Sequence, residues 1–292
     1  MLQFEQLYPI EKGWSGDKKY KAVTADGSTY LLRVTPLEKR ERCQAMFALQ
    51  QQFAALGVPM CEPIEQTVRE DGVYTVQRFV NGCDAEEVIP NLSASEQYAL
   101  GLDAGRFLRT LHMIPAPADA PDWSVRFNAK IDRKIKMYRE CPLQFEGADR
   151  IIDYLNANRE RLIGRPQVYQ HGDYHVGNMM VEDGRLVIID FDRYDFGDPW
   201  EEFNRIVWCA QASPHLAAGQ VDGYFNGNVP ADFWHLLALY IGSNTLSSLP
   251  WAIPFGEDEI NTMREQAREV LAWYNGMRRV IPSWYEIAKS TL

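Results

Sequence analysis

Along the first eighty residues the apolar positions fall in short β-prone runs broken by Asp-Gly turns, and beyond Asn81-Gly82 they spread into long helical segments. Lys19 to Ala25 and Ser28 to Val34 predict a hairpin closed at Asp26-Gly27, and 64–69 and 73–80 predict a second one closed at Asp71-Gly72. Between them Pro36 and the charged run from Glu38 to Arg42 open a helix that reaches about Leu56 and stops at Gly57 and Pro59. Helices are expected near 95–112, 123–139, 148–162, 199–211, 231–246 and 259–277. One interruption breaks that series. From Gln167 to Gly197 two short apolar runs, Met179 to Val181 and Leu186 to Ile189, turn at Asp183-Gly184 and carry polar residues at their outer ends. The fold class that follows is α+β: a small antiparallel-sheet lobe with one helix over residues 1–80, and a larger, mainly helical lobe over 81–292. The cleft between two such lobes is a usual place for a ligand.

The formal charge of −10 on 292 residues argues against nucleic-acid binding, which needs a basic face to neutralise phosphates. The five cysteines (Cys43, Cys61, Cys83, Cys141 and Cys209) are odd in number and scattered without a CxxC pair, which suits a reducing compartment and apolar filler roles. No apolar stretch reaches the length of a membrane span, and the start at Met-Leu-Gln-Phe-Glu lacks a basic segment followed by an apolar run. A cytoplasmic protein with no membrane partner is the expectation.

The interruption holds the chemistry. Transfer of a phosphoryl group needs a carboxylate to orient the attacking hydroxyl and accept its proton. It also needs oxygen ligands for Mg²⁺ and a cation on the remaining phosphates. His171, Asp173 and Asn178 reproduce the His-x-Asp and following Asn of a kinase catalytic loop, and Ile188-Ile189-Asp190-Phe191 ends an apolar strand in a carboxylate one hairpin later. Pairing across the hairpin would bring Asn178 and Asp190 together despite twelve residues of separation. Such hard oxygen donors favour Mg²⁺ over a transition metal.

The run His171-Gly172-Asp173-Tyr174-His175-Val176-Gly177-Asn178, then Ile189-Asp190-Phe191 and Gly197-Asp198-Pro199, resembles the aminoglycoside phosphotransferase and choline kinase family. The resemblance implies a bilobal protein-kinase-like fold and ATP as phosphate donor, with GTP as the alternative. By that resemblance Asp173 is the catalytic carboxylate and Asn178 and Asp190 are the magnesium ligands. His171 and His175 are expected to support the loop. Asp198 reads as a helix N-cap, with Pro199 at N1 and Glu201 at N3, and Glu202 stands where the family often has Asp.

In the first lobe the nucleotide is expected to meet Gly13-Trp14-Ser15-Gly16-Asp17, where Ser15 and Gly16 would cover phosphates, with Lys18 as an auxiliary cation. Arg33 replaces the Lys common at this strand position, and Glu41 or Gln44 is its expected helix partner. Gln77 and Phe79 mark the segment whose backbone would read the base.

Pro199 stands only nine positions after Asp190, too near for a protein-kinase activation segment to intervene, so a small-molecule acceptor is expected. Asp195, Trp200, Glu201 and Tyr240 mix acid and aromatic character that suits a cationic amino sugar, aminocyclitol or choline-like amine. A neutral sugar, an amino-acid alcohol or a nucleoside is the alternative. Two other functions compete: a metal-dependent hydrolase drawing on His171, Asp173, His175 and Asp190, and a kinase-like nucleotide-binding module without turnover.

Overall fold

In a computed structural model that describes residues 2–11 and 16–292, the chain forms two compact units. One comprises Met1–Val88 with Asn178–Asp192, and the other Ile89–Gly177 with Arg193–Leu292.

The first unit opens with β1 (Gln6–Ile10), β2 (Lys18–Val23) and β3 (Thr29–Thr35), followed by α1 (Arg40–Ala55), β4 (Pro63–Arg69) and β5 (Gly72–Arg78). These strands make an antiparallel sheet in the order β1-β2-β3-β5-β4. β1 contains Pro9, which a strand tolerates at the sheet edge where no ladder hydrogen bond is lost. Alternation along β2, β3 and β5 sends Ala22, Leu32 and Val76 to one face, against Phe4, Tyr20, Tyr30, Val34 and Tyr74. Thr75 and Gln77 of β5 belong to the side that meets α1. There Gln77 Nε2 donates to Gln50 Oε1 at 3.3 Å and Cys43 Sγ lies 3.7 Å from Thr75 Oγ1. Register places Arg33 opposite Thr75. The short β6 (Cys83–Asp84) and α2 (Ala85–Val88) close this part of the chain.

The second unit begins with α3 (Ala94–Leu111), whose start is fixed by a capping box between Ser93 and Glu96. Next come α4 (Trp123–Glu140), capped by Asp122, and α5 (Ala148–Asn158), extended by a 3₁₀ turn over Arg159–Leu162. β7 (Val168–Gln170) leads into the loop that carries Asp173. The chain then returns to the first unit for β8 (Met179–Glu182) and β9 (Arg185–Ile188), which join β6 in a sheet ordered β6-β8-β9. Back in the second unit, β10 (Asp195–Gly197) pairs with β7. After it come α6 (Ile206–Ala212), α7 (Pro214–Phe225), α8 (Ala231–Ala252), α9 (Glu257–Trp273) and α10 (Ser283–Ser290). The single helix expected over 199–211 is instead a 3₁₀ segment, Glu201–Arg205, continued by α6.

α3 and α7 cross at van der Waals contact of their backbones. A Cβ on Gly101 would lie 2.3 Å from Leu216 O, and one on Gly105 would lie 2.1 Å from Gln220 O. From the other side, a Cβ on Gly219 would meet Tyr98 O at 2.3 Å and one on Gly223 would meet Leu102 O at 2.1 Å. Four glycines therefore set the interhelical distance. Among the described residues no helix is long and apolar enough to cross a membrane.

Candidate active site

In the second unit the loop after β7 is held from several sides. Gly172 has φ +84°, and a Cβ there would lie 2.1 Å from the Arg193 carbonyl oxygen, so only glycine fits. Its N–H donates to both carboxylate oxygens of the buried Glu202, at 3.0 and 3.2 Å. Glu202 Oε2 also lies 4.0 Å from His112 Nε2, and His112 Nδ1 is 2.9 Å from the Tyr224 hydroxyl. Asp173 N–H donates to His171 Nδ1 at 3.3 Å, Gly177 N–H donates to His175 Nδ1 at 3.1 Å, and Tyr174 donates its hydroxyl to Ala104 O at 2.7 Å. Because His175 Nδ1 accepts, its proton sits on Nε2, which faces Asp173 Oδ1 at 3.6 Å.

The Asp173 carboxylate also has Arg205 Nε at 3.2 Å and Arg193 Nη1 at 3.6 Å. Burial by itself would raise its pKa. The His175 hydrogen bond and the Arg205 and Arg193 guanidiniums outweigh that and hold the carboxyl well below the usual carboxylate range. It is an ionised oxygen acceptor, partly exposed, on a loop tied down by the Glu202 carboxylate.

In the first unit the β8–β9 hairpin pairs Met179 with Ile188, and Ile189 N–H donates to Asn178 O at 3.0 Å. Asn178 and Asp190 thus leave the same end of one hairpin. Asp190 holds φ +60°, an uncommon conformation for a side chain with a Cβ, and its carboxylate is 39% exposed. An amide oxygen and a carboxylate are hard donors that fit a divalent cation such as Mg²⁺. Among the described residues no group of three His, Cys, Asp or Glu side chains is placed to enclose a metal, so a cation here would complete its shell from phosphate and water.

Arg33 Nη1 lies 4.0 Å from Asp190 Oδ1. Its Nε donates to Asp17 Oδ2 at 2.6 Å, and its guanidinium pairs with Asp192. Asp17 in turn accepts from Thr35 Oγ1 at 3.1 Å and lies 3.7 Å from Lys39 Nζ. The expected helix partners are not the ones used: Glu41 is exposed on α1 and Gln44 accepts from Arg40 Nε at 3.4 Å. Charge choice overrides position here, since two nearby carboxylates satisfy a guanidinium better than a solvated one on the helix.

Ser15 lies outside the described residues. Gly16 has open space where a Cβ would stand, and Lys18 is exposed at the start of β2 opposite Val34. Gln77 is an interior residue of β5 with a buried side chain, and Phe79 follows that strand with Lys21 Nζ 4.9 Å from its ring centroid. Of the acceptor candidates, Asp195 is paired with Arg126, and Trp200 stacks on the Arg165 guanidinium at 3.8 Å. Glu201 accepts from Lys130 Nζ at 2.9 Å and from Gln170 Nε2 at 3.1 Å. Tyr240 is buried, donating to Asp198 Oδ2 at 2.5 Å and accepting from Trp123 Nε1 at 3.0 Å. Asp198 is itself buried and held by two bonds from Arg165, at 2.6 and 2.9 Å. Arg205, whose Nε lies 3.2 Å from Asp173 Oδ1, was not legible from the sequence, because an isolated cation in a helical segment forms no motif.

A family model described as the phosphotransferase enzyme family matches residues 6–235. Glucosamine kinase of Streptacidiphilus jiangxiensis is 35% identical over 77 residues, and the match spans 26% of this chain and 17% of that protein's length. Among solved structures, a choline/ethanolamine kinase family protein from Mesorhizobium loti superposes with TM-score 0.65 at 17% identity, covering 97% of this chain and 92% of the other. A thermostable mutant of aminoglycoside phosphotransferase APH(4)-Ia with ADP and hygromycin B gives 0.63 at 16% identity, covering 92% and 94%. Amicoumacin kinase with AMP-PNP and Ca²⁺ gives 0.64 at 12% identity, covering 98% and 93%. The likeness establishes the fold, which is protein-kinase-like.

Proposed function

Because this chain belongs to the phosphotransferase enzyme family, we propose that it moves the γ-phosphate of ATP to a hydroxyl of a small acceptor. The observation that carries this reading is an ionised Asp173 on a loop locked by Gly172 and Glu202. Asp173 orients the hydroxyl and accepts its proton as the new O–P bond forms and the bond from the γ-phosphorus to the bridging oxygen breaks, releasing ADP. His171 and His175 brace the loop through the backbone N–H groups they accept.

The first unit is assigned the nucleotide. Asn178 and Asp190 would hold Mg²⁺, which when bound screens phosphate charge. Arg33 supplies a fixed positive charge beside Asp190, while Gly16, Lys18 and the backbone around Gln77 and Phe79 are assigned to phosphates and base. ADP and AMP-PNP in the structural neighbours support an adenine nucleotide. Positioning and charge neutralisation then carry the rate, with no covalent enzyme intermediate.

The names of the relatives favour amino-bearing acceptors, glucosamine among them. Five free cysteines support a reducing, cytoplasmic setting. Replacing Asp173 by Ala should lower ATP-dependent phosphorylation by about 10²- to 10⁴-fold while ATP–Mg²⁺ affinity stays within about two-fold. Undiminished turnover in that variant would remove Asp173 from the mechanism.

A further inference from the structure

Lys134 occupies the inner face of α4, among Phe127, Ile131, Ile135 and Tyr138, and is only 9% exposed. Among the described residues its ammonium makes one hydrogen bond, a long one of 3.5 Å to Asn244 Oδ1 on α8. The carboxylate beside it, Glu201, is taken: one oxygen accepts from Lys130 and the other from Gln170. The other charges acting on Lys134 are Arg133 and Lys130 on its own helix and Arg205 on the 3₁₀ segment. Arg205 Nε lies 3.2 Å from Asp173 Oδ1.

Such an arrangement is hard to explain as packing. Burial first, then the Lys130 charge, bring the Lys134 pKa down to about 7. A methionine would fill the same space without the desolvation cost. Lys130, Lys134 and Arg205 act on Glu201, and Arg205 with Arg193 on Asp173, so four basic groups face two carboxylates and positive charge is in excess there. A cationic acceptor would add to the imbalance. An anionic one would reduce it.

We propose that Lys134 and Arg205 form a subsite for an anionic group of the acceptor, so that the substrate class is a hydroxyl compound bearing a carboxylate, such as a hydroxy amino acid or a sugar acid. The proposal rests on Asp173 as the partner of the acceptor hydroxyl and reverses the sign of acceptor charge suggested by the acidic residues around it. An amino group elsewhere on the acceptor is compatible with it.

Paired probes that differ by the carboxylate test this: D-gluconate against D-glucitol, and L-serine against ethanolamine. Calorimetric binding and ATP-dependent phosphorylation are both measured, on the wild type and on Lys134→Met. The carboxylated member should bind at least about ten-fold more tightly in one or both pairs, and Lys134→Met should erase that preference without changing the affinity for ATP–Mg²⁺. A carboxylate raises the Lys134 pKa, so binding takes up a proton. Affinity is therefore flat below neutrality and falls by up to about ten-fold per pH unit above it. Proton uptake is read on the wild type alone, from heats in buffers of different ionisation enthalpy, so the test survives a variant that fails to fold. Equal or better binding of glucitol and ethanolamine, no binding by either carboxylate, no proton uptake, or a preference that persists in Lys134→Met would each overturn the proposal. Carboxylate binding with proton uptake but no turnover would instead count against phosphotransfer.

Discussion

Glu202 shows how a residue with no obvious chemistry governs one that has it. Read from the sequence it is an acid in a helical segment, yet its two oxygens fix the N–H of Gly172 next to Asp173. Glu202→Ala should lower kcat by about ten-fold or more with ATP affinity kept, because the loop loses its anchor while the first unit is untouched. Glu202→Gln, which retains one acceptor oxygen, should recover part of the rate in the same assay. Arg33 was legible as the cation of β3, whereas its partner was not. Asp17 and Arg33 stand sixteen residues apart, and no periodicity says which carboxylate a guanidinium will choose. The run from His171 to Asn178 was legible as a motif for the opposite reason, since its spacing is the one a kinase-type loop would require.

Among the elements, the hairpins were readable because Asp-Gly turns and β-branched runs are local signals, and β2 to β5 appear within a residue or two of their expected places. α7 was not. Pro214 to Phe225 is buried nearly all round, so it has no polar face to reveal a helical period, and Gly219 and Gly223 lower its intrinsic propensity. Those glycines are there for the crossing with α3. Gly105→Ala should destabilise the protein by about 1–3 kcal/mol, since its methyl would press on the Gln220 carbonyl, a backbone atom that cannot rotate away. Chemical denaturation would show this as a lower midpoint at unchanged slope. β1 escaped notice because Pro9 argues against a strand, and only the edge position excuses it.

For the molecule as a whole, acid should be the destabilising direction. Burial raises the pKa of Glu201, but Lys130, with Lys134 and Arg205 behind it, outweighs that, and the carboxyls of Glu201 and Asp173 both end below their ordinary values. The folded protein then binds fewer protons than the unfolded chain. This contribution is complete above the unfolded carboxylate pKa of about 4 and is lost as pH falls through the depressed folded values. Lys130→Met should cost about 1–3 kcal/mol at pH 7, and the gap to wild type should narrow toward pH 3 in denaturation curves. A gap that stayed constant with pH would mean the pair contributes only through packing.

The first unit is discontinuous, since Asn178–Asp192 completes a body begun at the N-terminus. During synthesis, roughly 90 intervening residues must emerge first, a delay of about 5–20 s at ordinary ribosomal speeds. Through that interval the edge of β6 has no neighbour and the patch of Cys61 and Val80 lacks its cover from Val187 and Ile189. The nascent first unit is thus a waiting half-product, and chaperones that hold exposed apolar surface would find a client here.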